Sequence, residues 1–112
     1  MGNFTLRREW AEARAKVNRE GRCRVCGSTN VIQAAHTVSR KLQDVMVEGP
    51  KGGKHLLVKA DAIVPLCESH HTAYDARRLD LLPYLFLPEQ VFAVECAGGI
   101  ASANKRLSGP NG

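Results

Sequence analysis

Two short-spaced pairs of ligand residues constrain this chain more than any other feature. Cys23 and Cys26 form a Cys-x2-Cys pair, and Cys67 and His70 form a Cys-x2-His pair further along. Zinc takes four sulfur or nitrogen ligands in a tetrahedron, and a knuckle pair joined to a pair at a helix start supplies them. Gly27 follows the knuckle and relieves its tight turn. Four protein ligands leave no open position for water, so such a metal holds a fold together and takes no part in reaction. Buried free thiols are the simpler alternative, since unliganded cysteines pack well in cores. A rival set would use Cys96 in place of His70. Cys96 lies in an apolar stretch with Val91, Phe92 and Val94, has no partner at ligand spacing, and reads as a core residue.

A staple of this kind suits the length. At 112 residues the chain makes one domain, 1–112, and a domain this small hides a limited share of its surface. No apolar run approaches the roughly 20 residues that a membrane helix needs. The opening MGNFTLRREW shows no secretory signal. The expectation is a cytoplasmic protein with no membrane partner, in a reducing setting where four cysteines favour metal over disulfides.

Net charge is +5, and it is unevenly spread. Residues 1–59 hold 12 Lys/Arg against 5 Asp/Glu, while residues 60–112 hold 4 against 6. A basic half points to one face turned toward a polyanion, although a solvated helix surface would look the same.

The coarse pattern is α+β. Leu6, Trp10, Ala13 and Val17 recur at helical spacing, which predicts a helix over 5–20 closed by Gly21. Arg7, Arg8, Arg14, Lys16 and Arg19 crowd its remaining surface as candidate contacts to such a polyanion, joined by Arg40, Lys41, Lys51, Lys54 and Lys59 further on. Residues 31–36 read as a strand. A hairpin-like stretch follows, broken by the Gly-rich turn at 49–53. Residues 62–66 read as a second strand, demoted to an edge by Pro65. Helices are predicted over 68–78, from Pro88 and Glu89 to about Ala97, and from about Ile100 to Leu107.

His36, His71 and Asp75 form a second constellation. His71 and Asp75 stand four apart on a helix and share one face. His71 follows the ligand His70 but lies roughly 100° round the helix, away from that metal. A strand-end His36 facing this pair would make a metal-and-base site. The plainer readings are a core histidine at His36 and an ion pair from Asp75 to Arg77 or Arg78.

The order Cys-x2-Cys, a strand ending in His, a variable loop, then Ile-Val-Pro-Leu-Cys-x2-His-His resembles the HNH endonucleases of the ββα-metal class. The likeness is greatest to small phage-borne forms, through the run from Ala73 to Leu85. It covers roughly residues 20–87. It implies a zinc-stapled ββα core over 21–87, flanked by the basic helix and by C-terminal helices over 88–107. It further implies a metal-dependent DNA endonuclease or nickase hydrolysing phosphodiester bonds. In that pattern His36 matches the general base and also lies at the catalytic metal, His71 and Asp75 match ligands of the catalytic ion, and Cys23, Cys26, Cys67 and His70 match the structural zinc set. The implied catalytic ion is Mg²⁺ or Mn²⁺, with Ni²⁺ or Zn²⁺ also accommodated by mixed nitrogen and oxygen ligands. DNA is the implied partner, with phage packaging proteins as a further one. The chain departs from the pattern at Ala35, where a metal-holding residue usually precedes the base, and at Ala62, where the middle Asn usually stands. Asp61 is adjacent, but a one-residue shift on a strand reverses its face. From those departures comes the alternative of a zinc-stapled DNA-binding module without turnover.

Overall fold

The computed structural model describes residues 8–48 and 53–109. Arg7, Lys51 and most of the 49–53 turn therefore lie outside the described residues, as does the predicted helical start at 5–7. The elements run β1 (Arg8–Glu9), α1 (Ala11–Glu20), β2 (Ile32–His36), α2 (Arg40–Gln43), β3 (Val45–Glu48), β4 (Lys54–Leu57), β5 (Ile63–Cys67), α3 (Glu68–Asp75), α4 (Leu87–Ala97) and α5 (Ile100–Leu107). The fold is α+β, with five strands in two small sheets among the described residues.

One sheet pairs β2 with β5 antiparallel, from Ile32 opposite Cys67 to His36 opposite Ile63. Every residue of β5 is buried. Successive strand side chains point to opposite faces, so a strand covered on both sides carries a continuous apolar run. Val64 and Leu66 enter a core with Ala35, Tyr74, Leu81, Leu85, Ala93, Ala103 and Leu107. Ile63 enters a second core with Ala13, Val17, Val58 and Ala62. α1 thus covers one face of the hairpin, while α3 and the C-terminal helices cover the other.

The other sheet has the order β1-β4-β3. β3 and β4 form the expected hairpin, with Glu48 opposite Lys54. β1 is a correction to the predicted helix over 5–20: Arg8 and Glu9 pair in parallel with Leu56 and Leu57. The Val58 amide also donates to Glu9 O at 3.0 Å. Backbone that finds a sheet partner here is not helical, and α1 begins only after Trp10. Gly21 closes α1 in the left-handed region at φ 69°, where its amide donates to Val17 O. α3 ends earlier than predicted, because Arg77 turns left-handed at φ 59° and the Arg78 amide reaches back to Ala73 O. Both C-terminal helices fall where the sequence places them. No described helix is long and apolar enough to cross a membrane.

Candidate metal and phosphodiester site

The knuckle is held by its own backbone. The Gly27 amide donates to Cys23 O, the Cys23 amide to Ser28 O, and the Arg24 amide to Pro65 O at 2.9 Å. That last bond fastens the knuckle to β5. Pro65 cannot donate an N–H, but its carbonyl is free to accept. β5 runs directly into α3, so Cys67 and His70 arrive beside Cys23 and Cys26.

The four ligand atoms all lie within 4.8 Å of one another. His70 Nδ1 stands 3.2 Å from Cys67 Sγ and 3.6 Å from Cys23 Sγ, and the sulfurs of Cys26 and Cys67 are 3.8 Å apart. Ligands about 2.0–2.3 Å from a tetrahedral ion sit roughly 3.4–3.8 Å from each other, so this set could hold a metal such as zinc. Burial opposes ionisation of the Cys23 thiol. Backbone amides of Cys26, Cys67 and Val25 more than offset it and bring the thiol down to about 6. Such a thiol is readily available as the thiolate a metal requires. Cys96 lies outside this cluster, half-buried on α4.

The second constellation is drawn to one place. A cleft of about 430 Å³ is lined by His36, His71 and Asp75 together with Trp10, Ser39, Arg40 and Arg106. His36 ends β2 and meets the Trp10 ring edge to face, with centroids 5.8 Å apart. His71 and Asp75 reach the cleft from one face of α3, with His71 Nε2 3.5 Å from Asp75 Oδ2. That separation is a side-chain contact across one helical turn. The cysteine–histidine set remains the one group of three or more metal-ligating side chains gathered at ligand distance among the described residues. Asp75 is paired with neither Arg77 nor Arg78 there.

Each histidine has one ring nitrogen committed to a partner that sequence reasoning missed. His36 Nε2 donates to Asp44 Oδ1 at 2.8 Å, and Arg8 Nε donates to Asp44 Oδ2 at 2.8 Å. The Asp44 side chain is 1% exposed. His71 Nδ1 donates to Gln33 Oε1 at 2.7 Å. These bonds fix the tautomers, leaving Nδ1 of His36 and Nε2 of His71 to act as base or ligand. Gln33 stands on β2 and Asp44 just after α2. Neither lies at a spacing that a motif would flag; Asp44 is only a carboxylate eight residues from a candidate histidine.

The basic residues divide. Arg14, Arg19, Arg40, Lys41 and Lys54 are exposed, as a polyanion-binding face requires. Lys16 is a correction. It is 6% exposed, and its ammonium donates to Ala60 O, Ile63 O and Glu89 Oε2. It cannot grip DNA, because it faces Ile63 in the core instead of solvent. Arg8 is likewise bound to Asp44. Ala35 is buried opposite Val64, and Ala62 is buried in a 3-10 turn before β5. Asp61 lies against α4 in a groove with Leu87, Phe92 and Glu95 and does not line the cleft that holds His36. The β2–β5 register runs unbroken from Ile32 opposite Cys67 to His36 opposite Ile63, and Asp61 precedes it.

Comparison with family models, with curated proteins and with solved structures finds no match to this chain.

Proposed function

We propose that this protein is a metal-dependent DNA endonuclease or nickase of the HNH type, with β2, β5 and α3 as its ββα-metal unit. The observation that carries this reading is the single cleft shared by a strand-end histidine, a helical His-x3-Asp pair and arginine. In the same reading, Cys23, Cys26, Cys67 and His70 hold a structural zinc that sets the strand end against the helix.

Hydrolysis of a phosphodiester needs an activated water, charge stabilisation on the phosphate and relief at the leaving oxygen. His36 takes a proton from water at Nδ1, while Asp44 holds the ring through Nε2 and stabilises the imidazolium that results. His71 and Asp75 would hold Mg²⁺ or Mn²⁺, which supplies Lewis-acid stabilisation of the phosphate and departing oxygen. With two protein ligands, binding of that ion is weak and activity follows its concentration. Arg14, Arg19, Arg40, Lys41 and Lys54 contact backbone phosphates, which position the protein without reading sequence.

Plasmid nicking in Mg²⁺, Mn²⁺ or Ni²⁺ tests the reading. His36→Ala is expected to slow nicking by at least ~10²-fold, as loss of a general base does. Equal rates from the two proteins would show that turnover does not come from this cleft. Asp44→Asn is expected to lower kcat by roughly 10²-fold with KM little changed, because an amide does not enforce the same tautomer. A change confined to KM would remove Asp44 from the catalytic machinery. Buried Ala35, and an Asp61 that lines a different groove, favour one second reading, a DNA-binding module without turnover. Salt-sensitive DNA binding without nicking in any metal would select it.

A further inference from the structure

Arg106 belongs to α5, outside the segment that carries the HNH resemblance, yet it lines the cleft with His36, His71 and Asp75. Its guanidinium lies over the Tyr74 ring, 4.3 Å from the centroid. That ring is a rigid platform, since Tyr74 is fully buried and its hydroxyl donates to Thr37 O. The guanidinium makes one long bond, 3.5 Å from Nη1 to Tyr74 O, and no ion pair with a carboxylate among the described residues. The contrast within this chain is informative. Arg24 is bonded to Glu20 and Glu89, and Arg8 is bonded to Asp44. Arg106 is held in place by stacking while most of its five donors stay available. Arg40 lines the same cleft and also lacks an ion pair among the described residues.

A guanidinium oriented by an aromatic face presents a planar fork that matches two oxygens of a phosphate. We infer that Arg106 is a substrate-binding residue that grips the non-bridging oxygens of a DNA phosphodiester in this cleft. α5 would then complete the site by closing over the β2–β5–α3 unit from the C-terminal side. The inference rests on the nuclease reading for its substrate, but binding can be measured without turnover.

Zinc-loaded protein with no added divalent cation is titrated with a short DNA duplex over a series of KCl concentrations. Each phosphate contact contributes about 0.9 to the slope of log affinity on log salt. Arg106→Gln is expected to make that slope shallower by about that amount, and Arg106→Lys to retain it. An unchanged slope in a folded Arg106→Gln protein overturns the inference. A second measurement needs no folded glutamine variant. The Arg106 Nε–H signal, assigned by its absence from the spectrum of Arg106→Lys, is expected to move when duplex is added to wild type. A stationary signal also overturns it. Inorganic phosphate, titrated separately, is expected to bind more weakly than the duplex and to be displaced by it. Tighter binding of inorganic phosphate would make the cleft a small-phosphate site and reject the proposal. A reduced slope in a protein that nicks nothing would sustain Arg106 as a phosphodiester contact while defeating the nuclease reading. Nicking with an unchanged slope would do the reverse.

Discussion

On the zinc reading proposed above, chelation at the Cys23–Cys26–Cys67–His70 cluster is expected to unfold the chain around the β2–β5 hairpin, the largest loss foreseen for this protein. The four ligands come from two segments far apart in sequence, so no preformed site exists in the unfolded chain. Binding free energy is then folding free energy, and structural zinc in small peptides supplies about 10–16 kcal/mol on an apparent scale near neutral pH. A domain's whole stability is only about 5–15 kcal/mol. Without the metal the knuckle keeps its tie from the Arg24 amide to Pro65 O, but three thiols and an imidazole are left packed together with little to gain. Elemental analysis should find one tightly held zinc per chain, absent from Cys67→Ser and retained in Cys96→Ser. Circular dichroism before and after chelation should show the loss of a cooperative thermal transition. An unchanged transition in metal-free protein would show that the apolar cores suffice and that the staple is dispensable.

The cysteine–histidine cluster was legible because a ligand set depends on residue type and short spacing, both of which a sequence displays directly. The elements that surround it were legible for a related reason. The helix end at Gly21 and the start at Pro88 are local decisions of the backbone, and α1 closes and α4 opens where those residues put them. Tertiary pairing was not legible. Arg8 and Glu9 carry a helical pattern forward from Trp10, but a parallel partner on β4 claims their backbone. Lys16 reads as one more cation on a basic helix; only the position of α4 shows that it points inward. The cleft was half legible. His36, His71 and Asp75 could be named from order and spacing, whereas Asp44 and Gln33, which bond its histidines, and Arg106, which lines it, come from separate parts of the chain whose arrangement only the fold sets.

Glu89→Ala is expected to destabilise the protein by about 3–5 kcal/mol, the usual consequence of breaking a buried ion pair from one side. Glu89 stands in the first turn of α4 and is 1% exposed. Its oxygens accept from Lys16 Nζ at 2.5 Å, from Arg24 Nη1 and Nη2 at 2.7 and 3.0 Å, and from the Phe86 amide at 2.7 Å. One carboxylate therefore joins α1, the knuckle and α4, and caps α4 as well. Truncation leaves two cations in a low-dielectric setting with one acceptor fewer, and an uncapped amide at the helix start. Urea unfolding should show a lower midpoint at unchanged m-value. A loss under ~1 kcal/mol would mean that water replaces the carboxylate at little cost. The same node fixes the pH dependence. Burial alone would raise the Glu89 pKa, but hydrogen bonds from Arg24, Lys16 and the Phe86 amide outweigh it and hold the group below its ordinary value. A carboxyl with a folded pKa below its unfolded one contributes stability that is complete above the unfolded value, near 4.5, and is lost as pH falls through the folded value. Wild type should therefore lose stability in that acid window, and Glu89→Gln should start lower at neutral pH and decline less across it. Parallel acid limbs for the two proteins would place the proton uptake at some other carboxylate and make this buried node electrostatically silent.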